Sequence, residues 1–467
     1  MITTTRRWVF LLVGILLAVG LCIFSVARAR AGGPMLVGGT YGVPGQPFRW
    51  NPASFPVTYW TDRGNLGSLN EDQANAFVKE AFDAWENVAT ASISFRWDGQ
   101  LSTDINASNV TALFNRQGNC TQPLADPREA RTIIYDVDGS ILQALGKDPN
   151  TVLGFAGVVC ISTDGTNNSF ERGRALLNGK FIDGVKSGSN PEVTLDEFKA
   201  VFIHEFGHFS GLDHAQINLN CLTAGPCDSD DLEGLPTMFP VLVDGIAMTT
   251  LSTDDIAAIS TLYPEPAFAT SFGKIQGQIL FSDGATPAQG FNVIARQVGD
   301  PRRVAVSSVS GFLFTACEGN PVTPPPYNDC GGDITPFGSR DQSLIGFYEI
   351  SVPPGQYTLE VEEIHTAEPR PFVNGSSVGP IGNLGFQFPL PGPPEFYSGG
   401  GETGTSATDP PASFFAVPVS AGAVVSDINI ILNDTPPRFD AWETARLLRW
   451  LRQLVARLDR RFAWTEM

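Results

Sequence analysis

The chain has 467 residues, too many for one typical domain, and its 42% apolar and 17% charged residues suit packed cores rather than disorder. With 49 acidic against 30 basic residues the net charge is −19, which argues against a nucleic-acid binder working through a basic surface. The 48 glycines and 35 prolines call for many turns and much β-structure, above all in the second half.

Arg6 and Arg7 precede an apolar run from Trp8 to Val26, and Ala27-Arg28-Ala29 and Ala29-Arg30-Ala31 both place small residues at cleavage spacing. This layout predicts a secretory signal over 1–31 and a secreted, extracellular protein. The run is also long enough to span a bilayer, so an uncleaved membrane anchor is the alternative. Cleavage would leave 26 basic against 49 acidic residues, a net of −23. It would also remove Cys22 and leave six of seven cysteines, an even count that reads as disulfides in an exported chain. Local spacing suggests Cys120 with Cys160, Cys221 with Cys227 and Cys317 with Cys330, although spacing alone leaves other connectivities open.

A short linker over 32–46 leads into a unit over 47–264 of α+β character. Val57-Thr58-Tyr59-Trp60 and Ile93-Ser94-Phe95-Arg96-Trp97 alternate like strands. Between them Ala74, Phe77, Val78, Ala81, Phe82, Trp85 and Val88 recur at helical spacing, and Ser68 with Glu71 forms a candidate capping box. Strand, helix and strand of these lengths make a βαβ unit, which predicts a twisted, partly parallel sheet. Thr132–Val137, Leu153–Ile161 and Arg174–Ile182 are further strand candidates. Thr194 caps a second long helix with Glu197 three residues on, and Leu195, Phe198 and Phe202 mark its buried face. Gly211 supplies the positive φ expected just past its end.

That helix carries the chemistry. Three of the chain's four histidines fall within His204-Glu205-Phe206-Gly207-His208-Phe209-Ser210-Gly211-Leu212-Asp213-His214. Histidines four apart project from one helix face and can reach one metal ion. A catalytic zinc takes three protein ligands and keeps the fourth position for water. His204, His208 and, after the bend at Gly211, His214 are therefore candidate ligands of one catalytic zinc ion. Glu205, beside the first ligand, is the candidate general base for the water. No Ser-His-Asp arrangement competes with this reading.

The motif, followed by Pro236-Thr237-Met238-Phe239-Pro240, resembles the metzincin metalloproteases, and within them the matrixins. Gly211-Leu212-Asp213-His214 and the stretch from Leu251 to Tyr263, Leu-Ser-Thr-Asp-Asp-Ile-Ala-Ala-Ile-Ser-Thr-Leu-Tyr, match matrixin patterns in order. The resemblance covers about 48–264. It implies a zincin-type fold with two long helices, a zinc endopeptidase acting on protein or peptide substrates, and Met238 as the apolar Met-turn floor beneath the metal. It also implies that the strand near Leu153–Ile161 pairs with extended substrate. Matrixins use calcium, and Asp136 and Asp138, in Asp136-Val137-Asp138-Gly139, are candidate calcium ligands. Three departures stand out. His365 is the one histidine left over, so a second, structural zinc is not expected. The catalytic pattern starts soon after the signal, so latency through a propeptide cysteine is not expected either. Residue 240 is Pro, so the tyrosine ligand of astacins and serralysins is not expected.

After Tyr263-Pro264 a linker over 265–272 leads to a Gly/Pro-rich region over 273–434, with alternating runs at Ile275–Phe281, Asn292–Arg296, Phe347–Val352, Tyr357–Glu362 and Asp427–Leu432. These predict an all-β sandwich. Gly273-Lys274-Ile275-Gln276-Gly277, Pro353-Pro354-Gly355-Gln356-Tyr357-Thr358-Leu359 and Ala421-Gly422 give it a resemblance to carboxypeptidase-regulatory-like, transthyretin-like modules, which support or bind. Over 435–467 a basic amphipathic helix is expected, with Leu447, Leu451, Leu454, Leu458 and Phe462 on one face and arginines on the other. That face could dock on an anionic membrane surface, on a second copy of the chain or on the chain's own acidic body.

Overall fold

The computed structural model describes residues 33–38, 42–43, 45–186, 192–218, 221, 227–243, 247–288, 290–311, 346–364, 395–410 and 412–435. The segment read as a signal, Cys317, Cys330, His365 and all but Thr435 of the segment expected as a C-terminal helix lie outside them. Within them the protein is a mixed α/β, multidomain-like chain with several sheets and few long helices. Among the described residues no helix is long and apolar enough to cross a membrane.

The first unit is built on strands β1 (Val57–Thr61), β2 (Phe95–Gln100), β3 (Arg131–Asp136), β4 (Gly154–Thr163) and β5 (Asn168–Asn178), in the order β2-β1-β3-β5-β4. Helix α1 (Glu71–Glu86) connects β1 to β2, which pair in parallel, so the expected βαβ unit is present. β3 runs parallel to β1 and β5, whereas β4 is antiparallel to β5 and closes the sheet as an edge. Period-two alternation splits the core between the faces. Ile133, Tyr135, Ala175 and Leu177 join α1 and α4 (Leu195–Ser210) on one side. Ile134 and Leu176 turn to the other, where α2 (Val110–Gly118) and α3 (Ser140–Ala144) supply Leu113 and Ile141.

Two sequence expectations are corrected. The cap of α1 is Asn70, whose side chain accepts from Gln73 while Gln73 accepts from the Asn70 backbone. Ser68 instead donates its N–H to Ile182 and belongs to the preceding turn, so Ser68 and Glu71 form no capping box. The strand expected over Arg174–Ile182 runs six residues earlier at its start, from Asn168, and ends at Asn178, whose side chain accepts from Lys180 N–H and turns the chain into a 3-10 helix over Gly179–Ile182.

Among the described residues two disulfides are present, Cys120–Cys160 and Cys221–Cys227. The first ties the segment after α2 to the edge strand β4.

Helices α5 (Ser229–Glu233), α6 (Thr253–Leu262) and α7 (Pro266–Ser271) lead out of this unit. Two sheets follow. One holds β7 (Phe291–Gln297), β8 (Ala305–Val309), β10 (Gly355–Glu363), β11 (Glu395–Phe396) and β12 (Val417–Val419); the other holds β6 (Gly273–Leu280), β9 (Phe347–Val352), β13 (Val424–Val425) and β14 (Ile430–Ile431). Val293, Leu359 and Val361 from the first and Ile275, Ile350 and Ile430 from the second share one buried core, which is how a sandwich buries two inner faces. Of the run Asp427–Leu432 only Ile430–Ile431 is strand.

Candidate metal centre

Helix α4 forms where the sequence is locally consistent. Thr194 Oγ1 accepts Glu197 N–H at 3.2 Å, and Glu197 accepts Thr194 N–H at 2.7 Å, a complete capping box. Phe198, Phe202, Phe206 and Phe209 bury one face, with Phe206 stacked on Phe82 of α1 at 3.9 Å between ring centroids. The helix ends at Gly211 with φ 97°, a left-handed conformation that suits glycine. Its last carbonyls find donors in Trp50 Nε1, 2.7 Å from Phe209 O, and Tyr263 Oη, 2.6 Å from Ser210 O. The bend is thereby fixed, and the chain beyond it returns His214 to the helix.

The ligand-type nitrogens of His204, His208 and His214 lie within 4.8 Å of one another, and the Nε2 atoms of His208 and His214 are 3.1 Å apart. His204 Nδ1 is 2.7 Å from the Thr237 carbonyl and His208 Nδ1 is 2.8 Å from the Leu212 carbonyl. A carbonyl can only accept, so each Nδ1 carries the proton and each Nε2 keeps its lone pair. Tetrahedral ligands bonded at about 2.0–2.1 Å stand roughly 3.4 Å apart, so the spacing is of the right order for one ion. Neutral imidazoles suit a divalent transition-metal cation such as zinc better than a hard, oxygen-seeking one. Burial lowers the pKa of His204, and lowers that of His208 further with help from its two histidine neighbours, which keeps these donors unprotonated.

Glu205 is 7% exposed and faces the edge strand, where Ala156 N–H donates to its carboxylate. Burial pushes its pKa up to about 8 against the pull of that N–H. A cation held by the neighbouring histidines favours the charged form and moves it back down. Beside the third histidine, Asp213 accepts His214 N–H at 2.8 Å, and burial raises its carboxyl to about 7.

Met238 is fully buried against Gly207, between the two helical histidines. At Gly207 a Cβ would stand 2.1 Å from the Met238 sulfur and 2.8 Å from the Trp85 ring, so the residue between the two helical histidines has no room for a side chain. Asp255, on α6, accepts N–H bonds from Thr237 (2.7 Å), Met238 (3.0 Å) and Ser252 (2.8 Å). It thus holds the turn whose Thr237 carbonyl orients His204. Residues that orient ligands in this way tune a metal site almost as strongly as the ligands.

A scan against protein-family models matches none, and a search of curated proteins finds no relative.

The structure therefore brings His204, Glu205, His208, His214 and Met238 together. Among the described residues His204, His208 and His214 are the one group of three or more His, Cys, Asp or Glu placed to hold a metal. Asp136 and Asp138 stand at the turn between β3 and α3. Asp136 accepts Ile141 and Leu142 N–H and Asp138 accepts Ser140 N–H, so both carboxylates serve the start of that helix. The sequence reading missed the supporting residues. Asp255 lies in the stretch Leu251–Tyr263, but its spacing from Ser252 signals only a helix cap. Trp50, the Thr237 carbonyl and Ala156 N–H carry no sequence signal, because backbone groups and a lone Trp are read only in three dimensions.

Proposed function

We propose that this protein is a secreted zinc-dependent endopeptidase of matrixin-like metzincin type. The observation that carries the proposal is the convergence of three imidazoles, two with their tautomers set by backbone carbonyls, beside Glu205 and below the half-exposed edge strand β4. A mixed sheet with an antiparallel edge and the buried Met238 under the histidines fit the same reading, and two disulfides suit an oxidising compartment.

His204, His208 and His214 would hold the ion, which when bound supplies a Lewis acid for the peptide carbonyl and for water. The chain's own residues do the rest. No described strand pairs with the outer edge of β4, which leaves backbone N–H and C=O groups to align an extended peptide by strand addition. Glu205, held in place by Ala156 N–H, accepts a proton from the attacking water at its carboxylate and passes it to the leaving amine. Its burial excludes bulk water and keeps the proton's path short.

The test is digestion of casein or gelatin, with and without a chelator, by the native chain and by Glu205→Gln. Native activity should vanish on chelation. The variant should lose about 10²–10⁴-fold in turnover while still binding one zinc ion, since all three histidines remain. Equal proteolysis by the variant would overturn the assignment.

A further inference from the structure

The β-rich half reads in the sequence as an accessory module, yet it makes direct polar contacts with both supports of the metal centre. The first support is the segment that leaves His214. Asn292 Nδ2, on β7, donates to the Gln216 carbonyl at 2.8 Å. The Gln216 side chain donates to Glu362 Oε1 at 2.6 Å and to the Glu363 carbonyl at 3.0 Å, both on β10. Ile217 is buried against Ile294 and Ala305 of β7 and β8. Asn218 sits at φ 56°, an unusual conformation for a residue other than glycine. Its side chain is fixed at both ends, donating to the Arg302 carbonyl at 3.0 Å and accepting from Arg296 Nη1 at 2.8 Å. Four consecutive residues after the third histidine are thus tied down, Ala215 by the Met238 carbonyl at 2.9 Å and the next three by the β unit.

The second support is the turn under His204. Asp255 holds the backbone of Thr237 and Met238, and its neighbour Asp254 accepts Ser307 N–H at 2.7 Å and Ser307 Oγ at 3.1 Å, both from β8. Helix α6, which carries both carboxylates, belongs to both cores. Ala258, Ile259 and Leu262 pack into the α/β unit, whereas Ala257 packs into the β unit.

We infer that the β7–β8 face is a working part of the metal centre, with Asn292 and Ser307 acting as positioning residues for His214 and His204 respectively. The inference rests on the metal-site reading above. Neither residue bonds a histidine directly: Asn292 holds the backbone two residues past His214, and Ser307 holds Asp254, whose neighbour Asp255 holds the turn under His204. Removing such a hold lets the ligand wander; changing a partner bonded to the ligand itself typically costs about 10–100-fold in metal affinity, and one further out less.

The test uses the full chain with Asn292→Ala, Ser307→Ala and a control, Tyr348→Phe. The control removes the bond from Tyr348 Oη to the Ile428 carbonyl, which joins two segments of the β unit and bonds neither support of the histidines. Zinc affinity is measured by competition with a chromogenic chelator, and the visible spectrum of the cobalt-substituted protein reports ligand geometry. Asn292→Ala and Ser307→Ala should each weaken zinc binding about 3–10-fold, less than the roughly 10–100-fold typical of groups bonded to a ligand because Ser307→Ala keeps its N–H bond to Asp254, and shift the cobalt bands, while Tyr348→Phe stays within about twofold of native. Native-like affinity and spectra in both positioning variants overturn the inference, as does an equal loss in the control, which would mark a general loss of stability. If Asn292→Ala fails to fold, Ser307→Ala decides on the same criteria. A native chain that takes up no zinc overturns the underlying metal-site reading, and that outcome appears before any variant is compared.

Discussion

Single residues decide how the centre is tuned, and Asp254 shows it most clearly. It is fully buried, and burial, with Asp255 alongside, raises its pKa from 3.8 to about 8. The unfolded chain releases this proton near pH 4, whereas the folded chain holds it to about pH 8. Between those values folding binds a proton, so the contribution of Asp254 to stability is greatest in acid and is lost as pH rises through 8. Asp254→Asn keeps an oxygen for Ser307 and cannot ionise. Its melting temperature, followed from pH 5 to 9, should gain on the native protein as pH rises; a difference that stays constant with pH would refute the ionisation. At this scale the sequence was legible for the convergence of His204, His208 and His214, because imidazoles at helical spacing share one face of the helix. Asp254 and Asp255 look alike in the sequence, and only the fold sends one to Ser307 and the other to the Met238 turn.

At the scale of elements, those with a repeating local signal could be read ahead of the structure. The stripe from Ala74 to Trp85 placed α1, and Thr194 with Glu197 placed the start of α4. Boundaries set by distant contacts could not: Ser68 was drawn to Ile182, and β5 begins at Asn168, whose side chain is bound to Val43 and Gln46. The edge strand β4 shows what such contacts do. It is the one strand antiparallel in its sheet, and Cys160 is its one buried residue, joined to Cys120 across 40 positions. Arg172, on the neighbouring β5, donates to four carbonyls between Arg116 and Gln122 and anchors the same corner. Closing a loop of this length is worth about 2–4 kcal/mol through the unfolded state. Cys120→Ser with Cys160→Ser should therefore lower unfolding free energy in urea by about that amount. Zinc affinity should stay near native, since no ligand or support of the histidines lies in that corner. A loss of zinc binding at unchanged stability would contradict this division of labour.

Over the whole molecule, the two units are expected to unfold as one. Independent domains meet through surfaces that can part, whereas here α6 contributes to both cores and the junction holds fully buried polar groups, Gln216, Asp254 and Asn292. Parting the units would exchange those hydrogen bonds for bonds to water, at about 0.5–1.5 kcal/mol net each, and would expose the apolar contacts of Ile217 and Ala257. Ionic contacts ring the same junction, Arg302 with Asp228 and the buried Asp231 and Arg303 with Asp230 and Glu233; those between exposed partners contribute little to its strength. On the proposed reading zinc binds the folded chain and not the unfolded one, so at a thousand times its dissociation constant it should add about 4 kcal/mol. Because the junction links the ligand supports to β7 and β8, that gain should reach the β unit as well. Calorimetry should show one transition, moved upward as a whole by zinc and downward by a chelator. In a chain with Trp8, Trp442, Trp450 and Trp464 changed to Phe, tryptophan fluorescence follows the α/β unit, which holds the remaining Trp50, Trp60, Trp85 and Trp97, and far-ultraviolet circular dichroism follows both units. The two signals should change together. Two resolved transitions with only the first sensitive to zinc would mean that the junction yields before either core, and that the β unit stands outside the metal centre.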